Sequence, residues 1–334
     1  MASHFENTSD TLSEPLQIIA RQEERSTERD VYRIASLLCA VSYAQMRAMG
    51  ERVLDGVFDD PANPLEFWAH ECIKPMAEEP LAEIGLEKQK RTFFSITNCV
   101  SVVAWNTAWL AHLVEDSDVE LVERSFHDMK PVREVVLCED DETTLVKDFK
   151  HTVLVLKSKS SGESIVADPS FGQYGFESGI EMLEDYSTEK VHMNLVSEPF
   201  KDHKFGTATS WQDSWDDTLF LRAKTAITSR TAENVIIDQI QSMGGKEAFF
   251  SMQAAEFQWR QEEMVEIVYV KELEQRQNIE NADHLLEDDD NGDELYADKL
   301  RALVEDGDRV GHQTCARSLE RYIGPGADAL DIPS

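Results

Sequence analysis

Apolar residues recur at helical spacing early in the chain. Val31, Ile34, Ala35, Leu38, Val41 and Met46 fall on one face of a helix from about Arg29 to Met49, and Gly50 supplies a stop. Asn63-Pro64 predicts a second helix start, a cap followed by proline at the first helical position; that helix carries Leu65, Phe67, Trp68 and Cys72 and ends before Pro75. Residues 81–90 form a short amphipathic piece. Ser95 to Val114 is apolar on most sides, the pattern of a buried helix. The period then drops to two. Short β-like runs follow at Val119–Phe126, Val132–Cys138, His151–Lys157 and Ser164–Asp168, and Val191–Val196 adds another. The pair at His151 and Ser164 is joined by Ser158-Lys159-Ser160-Ser161-Gly162-Glu163, a hairpin signal with glycine in the loop. From Asp217 to Gln277 the pattern is helical again, broken at Gly244-Gly245.

Helices, then sheet, then helices predict an α+β architecture rather than alternating βαβ units. The expected arrangement is a helical N-terminal lobe, a central antiparallel sheet against a buried cysteine-bearing helix, and a helical C-terminal region. Three stretches follow from this: a disordered polar arm at 1–28, a core at 29–200, and a helical region at 201–334 containing an acidic segment at 281–308. That segment holds 11 acidic and two basic residues, with Gly292 and Gly307 inside it. A calcium-loop reading centred on Gly292 puts Glu287 first and Asp298 twelfth, which departs from the Asp…Glu pattern, so it is read as an acidic loop.

Charge narrows the function classes. The chain has 334 residues and a formal net charge of −33, with 65 acidic against 32 basic residues. No dense basic patch interrupts this, so neither nucleic-acid phosphates nor anionic membranes are expected partners. The first ten residues lack the basic and apolar regions of a secretory signal. The stretch Val100–Val114 is too short and too polar to span a bilayer. Five cysteines at irregular spacing contain no CxxC pair, which indicates neither a zinc site nor a disulfide framework. The expectation is a soluble cytoplasmic protein with reduced thiols, no metal and no cofactor.

Three residues carry candidate chemistry. Thr97 or Asn98 is a good N-cap, so Cys99 falls in the first turn of the buried helix. A thiol there feels the positive end of the helix dipole and unpaired backbone N–H groups, which favour the nucleophilic thiolate. Its own backbone N–H can also help stabilise an oxyanion. His151 opens a strongly apolar strand, and Asp168 ends the partner strand immediately before Pro169. Seventeen residues separate the two, the distance at which a tight hairpin returns its ends side by side. Asp168 is therefore expected to accept an imidazole N–H and fix the ring tautomer. Asn98, Trp105 and Gln173 are assigned to substrate contact.

Weaker candidates read as structural. His70-Glu71-Cys72 places side chains that do not share a helix face, Cys39 and Cys138 lie on apolar faces, and His112 is far along the helix from Cys99. Trp211, Trp215 and Trp259 are spaced like core aromatics.

A cysteine at the start of a buried helix, a strand-opening histidine, and then Asp-Pro at the end of the next strand resemble the papain-like/transglutaminase-like cysteine superfamily. That group includes transglutaminase cores and arylamine N-acetyltransferases. The run Asp168-Pro169-Ser170-Phe171-Gly172-Gln173 is similar to the Asp-Pro-Thr-type stretch of transglutaminase cores. The resemblance covers roughly residues 90–176. It implies a nucleophilic Cys99, a general base His151, an orienting Asp168 and a thioester intermediate. Many members carry glycine before the cysteine and an aromatic after it, where this chain has Thr97-Asn98 and Val100-Ser101. Phe93 stands where papain-type enzymes place the oxyanion glutamine. These departures favour transfer of a small acyl group to an amine over peptide hydrolysis. A cysteine hydrolase is one alternative. A catalytically inactive scaffold binding basic partners through its acidic surface is the other.

Overall fold

The computed structural model describes residues 29–50, 52–71, 87–139, 142–146, 150–193, 198–210 and 219–283. In chain order its elements are α1 (Arg29–Ala48), β1 (Arg52–Phe58), β2 (Leu65–Glu71), α2 (Glu87–Ser95), α3 (Cys99–Val114), β3 (Val119–Phe126), β4 (Val135–Glu139), β5 (Glu142–Leu145), β6 (His151–Ser158), β7 (Ser164–Ala167), β8 (Ile180–Met182), α4 (Leu183–Lys190), β9 (Phe200–Lys204), α5 (Leu219–Ser242), α6 (Lys246–Ser251) and α7 (Ala254–Asp283). The fold is α+β, with helices flanking two sheets.

The larger sheet has the order β8-β7-β6-β3-β9, and every neighbouring pair is antiparallel. Both faces of β6 are buried, so its run His-Thr-Val-Leu-Val-Leu is apolar almost throughout. Leu154 and Leu156 face a core built with α1, α3 and the C-terminal helices, including Leu38, Leu110, Ile236 and Met264. Val153 and Val155 face a second core with Phe126, Val166, Phe171, Tyr174 and Tyr186. Fully burying one such aliphatic side chain is worth about 1.5–3 kcal/mol. The β6–β7 turn uses Gly162 at φ +77°, a left-handed conformation that glycine adopts without penalty.

The smaller sheet, β1-β2-β4-β5, corrects the second helix expected at Asn63-Pro64. Residues 65–71 are a strand. Leu65, Phe67 and Ala69 are buried and alternate with Glu66, Trp68 and His70, a period of two. Parallel pairing with β4, Leu65 to Val135 through Ala69 to Glu139, fixes the strand state. Pro64 stands at the strand entrance, where no ladder N–H is needed. The expected strand at Val191–Val196 is reduced to a single bridge between Val191 and Met129, and residues 194–197 lie outside the described residues. The arm at 1–28, the Gly292 loop, Cys72, Trp211 and Trp215 also lie outside them, as does the acidic segment beyond Asp283.

The break at Gly244-Gly245 is present, with both residues at positive φ. It turns α5 into α6. There Lys246 reaches back to donate to the carbonyls of His112 (2.9 Å) and Glu115 (2.8 Å). A cation at those carbonyls also complements the negative end of the α3 dipole.

Candidate active site

Cys99 is the first residue of α3, delivered by a sharp corner after α2. Thr97 turns that corner at φ +63°, an uncommon conformation for a β-branched residue and a local strain of about 1–3 kcal/mol. Asn98 is the N-cap by position, but its side chain does not cap α3. Its Nδ2 instead donates to the Phe94 carbonyl at 2.8 Å and closes the end of α2. The first-turn amides of α3 have no helical carbonyl behind them, which leaves partial positive charge around the sulfur. The thiol points at the Lys150 carbonyl, 3.6 Å away, at the entrance of β6.

The hairpin supplies the other two groups. Leu154 pairs with Ala167, so Asp168 continues opposite Val153, and His151 lies diagonally across on the same face. His151 Nε2 meets Asp168 Oδ2 at 2.8 Å, and both side chains are fully buried. Further donors converge on the carboxyl group. The Tyr186 hydroxyl donates to Oδ2 at 2.8 Å, and the Ser170 backbone N–H donates to Oδ1 at 3.1 Å. The Gly179 carbonyl takes the Asp168 N–H at 2.7 Å. The Tyr174 ring stands edge-on to the imidazole, 4.8 Å between centroids.

Electrostatics at His151 are a contest. Burial alone would lower its pKa; the Asp168 charge and hydrogen bond, then the neighbouring Cys99 side chain, outweigh burial and raise it to about 9. No family model, curated protein or solved structure matches the chain. What the site does must therefore be argued from these residues.

Gln173 is placed differently from its expected role. Its side-chain carbonyl accepts the Thr97 backbone N–H at 3.3 Å, and its amide nitrogen donates to His151 Nδ1 at 2.8 Å. With both ends engaged and 2% exposure, Gln173 is a positioning residue rather than a substrate contact. The Thr97 bond fixes which way the amide points. In the neutral ring Nδ1 is then the acceptor and the proton sits on Nε2, facing Asp168. Trp105 is also moved from its expected role. It packs in the second core with the Lys224 ammonium 5.9 Å from its ring centroid, about 9 Å along the helix from Cys99.

Cys99, His151 and Asp168 are thus brought together, with Asn98 beside them and Trp105 apart. Sequence reasoning missed two partners. Tyr186 comes from α4, an element with no strong periodicity, and the Thr97 bend carries no glycine to announce it. Cys138 is core, as expected, whereas Cys39 is only partly buried and lies 4.0 Å from the Gly179 carbonyl. His70 pairs with Asp55 on the exposed face of the β1–β2 pair. Trp259 is 53% exposed beneath the Arg260 guanidinium, so it is not a core aromatic. Among the described residues no cluster of three or more His, Cys, Asp or Glu side chains is arranged to hold a metal. No helix of the described residues is long and apolar enough to cross a membrane.

Proposed function

We propose that the protein is a cysteine-dependent acyltransferase of the transglutaminase-like kind, working through a thioester on Cys99. The observation that carries this reading is the fully buried His151–Asp168 pair presented to a cysteine at a helix start. In the proposed cycle the Cys99 S–H proton passes to His151 Nδ1 as sulfur attacks the acyl carbonyl. First-turn amides of α3 receive the developing oxyanion. The tetrahedral intermediate collapses, the leaving group departs with the proton from His151, and a thioester remains. An amine then attacks, His151 takes its proton, and the C–S bond breaks to release the amide and restore the thiol. Asp168 holds the imidazole in one tautomer throughout.

The net charge of −33 supports a cationic, amine-bearing acceptor, which such a surface attracts and which nucleic acid does not offer. A cytoplasmic location with reduced thiols belongs to the same reading. The test uses p-nitrophenyl acetate as donor and intact-protein mass spectrometry. The expected result is an acetyl adduct on Cys99 that a primary amine discharges faster than buffer alone. The adduct should be absent in Cys99→Ala and slow in His151→Gln. Acetylation spread equally over Cys39 and Cys138 would overturn the assignment. Discharge by water alone would make the enzyme a hydrolase.

A further inference from the structure

A second site lies on the reverse side of the Asp168 loop. A cleft of about 900 Å³, counting the space at its open mouth, runs between α1 and α7 over the segment from Phe171 to Ile180. Neither Cys99 nor His151 lines it, so it is not the entrance to the triad. Its floor is ordered, since Ser36 and Gln261, both buried, hydrogen-bond each other across the two helices at 3.0 and 2.9 Å.

Its charges are sorted by depth. The Arg91 guanidinium lies in the wall, half-buried, 4.6 Å from the Tyr43 ring centroid and 5.1 Å from that of Phe171. It makes no ion pair or hydrogen bond with any described residue, although acidic residues outnumber basic ones two to one in this chain. An arginine held by ring faces leaves its N–H donors, unengaged by any described residue, to an incoming carboxylate. Glu262, which also lines the cleft, is half-buried on α7 with one oxygen taken by Gln258, while Glu177 and Glu266 are exposed. The rest of the lining is largely apolar and aromatic, with a second guanidinium, Arg47, 4.7 Å from the Tyr269 ring centroid and 5.9 Å from that of Tyr43.

We infer that this cleft binds an amphipathic zwitterion, an α-amino acid with a large apolar side chain. Its carboxylate sits on Arg91, its ammonium on Glu262, and its apolar body lies against Tyr43, Phe171 and Val265. A simple anion is disfavoured by the lining carboxylates, and a simple cation leaves Arg91 unused. The site stands independently of the acyl chemistry proposed for Cys99.

The test titrates the full-length protein with L-tryptophan, N-acetyl-L-tryptophan and L-tryptophanamide, read by saturation-transfer NMR. L-Tryptophan is expected to bind saturably. Each analogue, lacking one charge, should bind about tenfold more weakly, the fold-change of one charge-assisted hydrogen bond in a half-buried site. Arg91→Gln keeps the aliphatic stem on which Gly172 packs. It should bind tryptophan and tryptophanamide alike. Glu262→Gln should erase the difference between tryptophan and its N-acetyl form. No saturable binding of L-tryptophan at millimolar concentration, or equal affinity for all three probes in the unsubstituted protein, would overturn the inference. So would an Arg91→Gln protein, folded by circular dichroism, that still prefers the acid to the amide.

Discussion

Gln173 donates to His151 Nδ1, the nitrogen that takes the Cys99 proton in the proposed cycle, and this makes the glutamine testable apart from any substrate. The amide N–H at 2.8 Å stabilises only the unprotonated nitrogen, whereas accepting a proton from Cys99 requires Nδ1 to be protonated. A buried hydrogen bond of this kind is worth about 1–1.5 kcal/mol net. One pKa unit corresponds to about 1.36 kcal/mol. Gln173→Met keeps length and volume but removes the donor, so the proton affinity of Nδ1 should rise by about one unit. The population with the Cys99 proton moved onto His151 should then rise about tenfold. Iodoacetamide alkylation at mildly acidic pH, quantified at Cys99 by peptide mass spectrometry, reads this directly, and the gain should vanish in the double variant with His151→Gln. The exposed Thr97 N–H loses a long bond at 3.3 Å and is satisfied by water instead, so the fold should survive. An unchanged or slower rate in a Gln173→Met protein with a native denaturation midpoint would refute the competition.

Three further outcomes concern the scaffold. Glu123, buried in β3, accepts the backbone N–H groups of Gly206 and Ala208 at 2.7 Å each; burial raises it to about 7 against those bonds. Its contribution is complete below pH 4.5 and lost as pH rises through about 7. Glu123→Gln turns one acceptor into a second donor, so urea denaturation should show a loss of about 1–3 kcal/mol together with a flatter pH dependence. Gly179→Ala would put a Cβ 2.3 Å from the Asp168 carbonyl oxygen and 2.5 Å from the Phe171 ring. It should cost about 3 kcal/mol and slow Cys99 alkylation, and a wild-type midpoint would contradict that packing. Glu272 is fully buried with neither carboxyl oxygen in hydrogen-bond geometry with a described residue, and burial pushes it well above the carboxylate range despite Gln45 and Lys224 nearby. Its contribution is present below pH 4.5 and erodes on the alkaline side. Glu272→Gln should match wild type within about 1 kcal/mol in acid and exceed it in alkaline buffer, as read by thermal denaturation.

Which parts of this were legible depends on how far apart the deciding contacts lie. The β6–β7 hairpin was legible because its information is local: alternation, a glycine at the turn and a proline after the last residue. Local spacing alone put His151 beside Asp168. Residues 65–71 misled because Leu65, Phe67 and Trp68 satisfy both periods over so short a run. The choice is made by parallel pairing with Val135–Glu139, some seventy residues away. The start of α3 was legible in position but not in chemistry, since the Asn98 amide turned backward to α2 rather than forward to α3. Gln173 could be located but not given its role, because nothing in the sequence says that its two ends meet Thr97 and His151.

The balance between a working site and an inert scaffold turns on what the buried polar groups contribute to stability. An internal ion pair is rarely more stabilising than well-packed apolar residues of the same volume. A hairpin flanked by Val153, Val155 and Val166 could close with aliphatic side chains at 151 and 168, and Phe126 and Tyr174 already supply the apolar surroundings. Instead the fold orders Tyr186, Ser170 and Gln173 around one imidazole and one carboxylate. It also accepts a left-handed threonine to bring a thiol to the same place. Strain and desolvation of this kind persist where the surrounding structure holds them in place, and they concentrate at sites that do chemistry. A scaffold with no such use gains nothing from Thr97 at φ +63°. Thr97→Gly therefore separates the two readings. Relief of strain should stabilise the protein under either, but only a working triad depends on how firmly the corner is held, and only there should Cys99 alkylation slow.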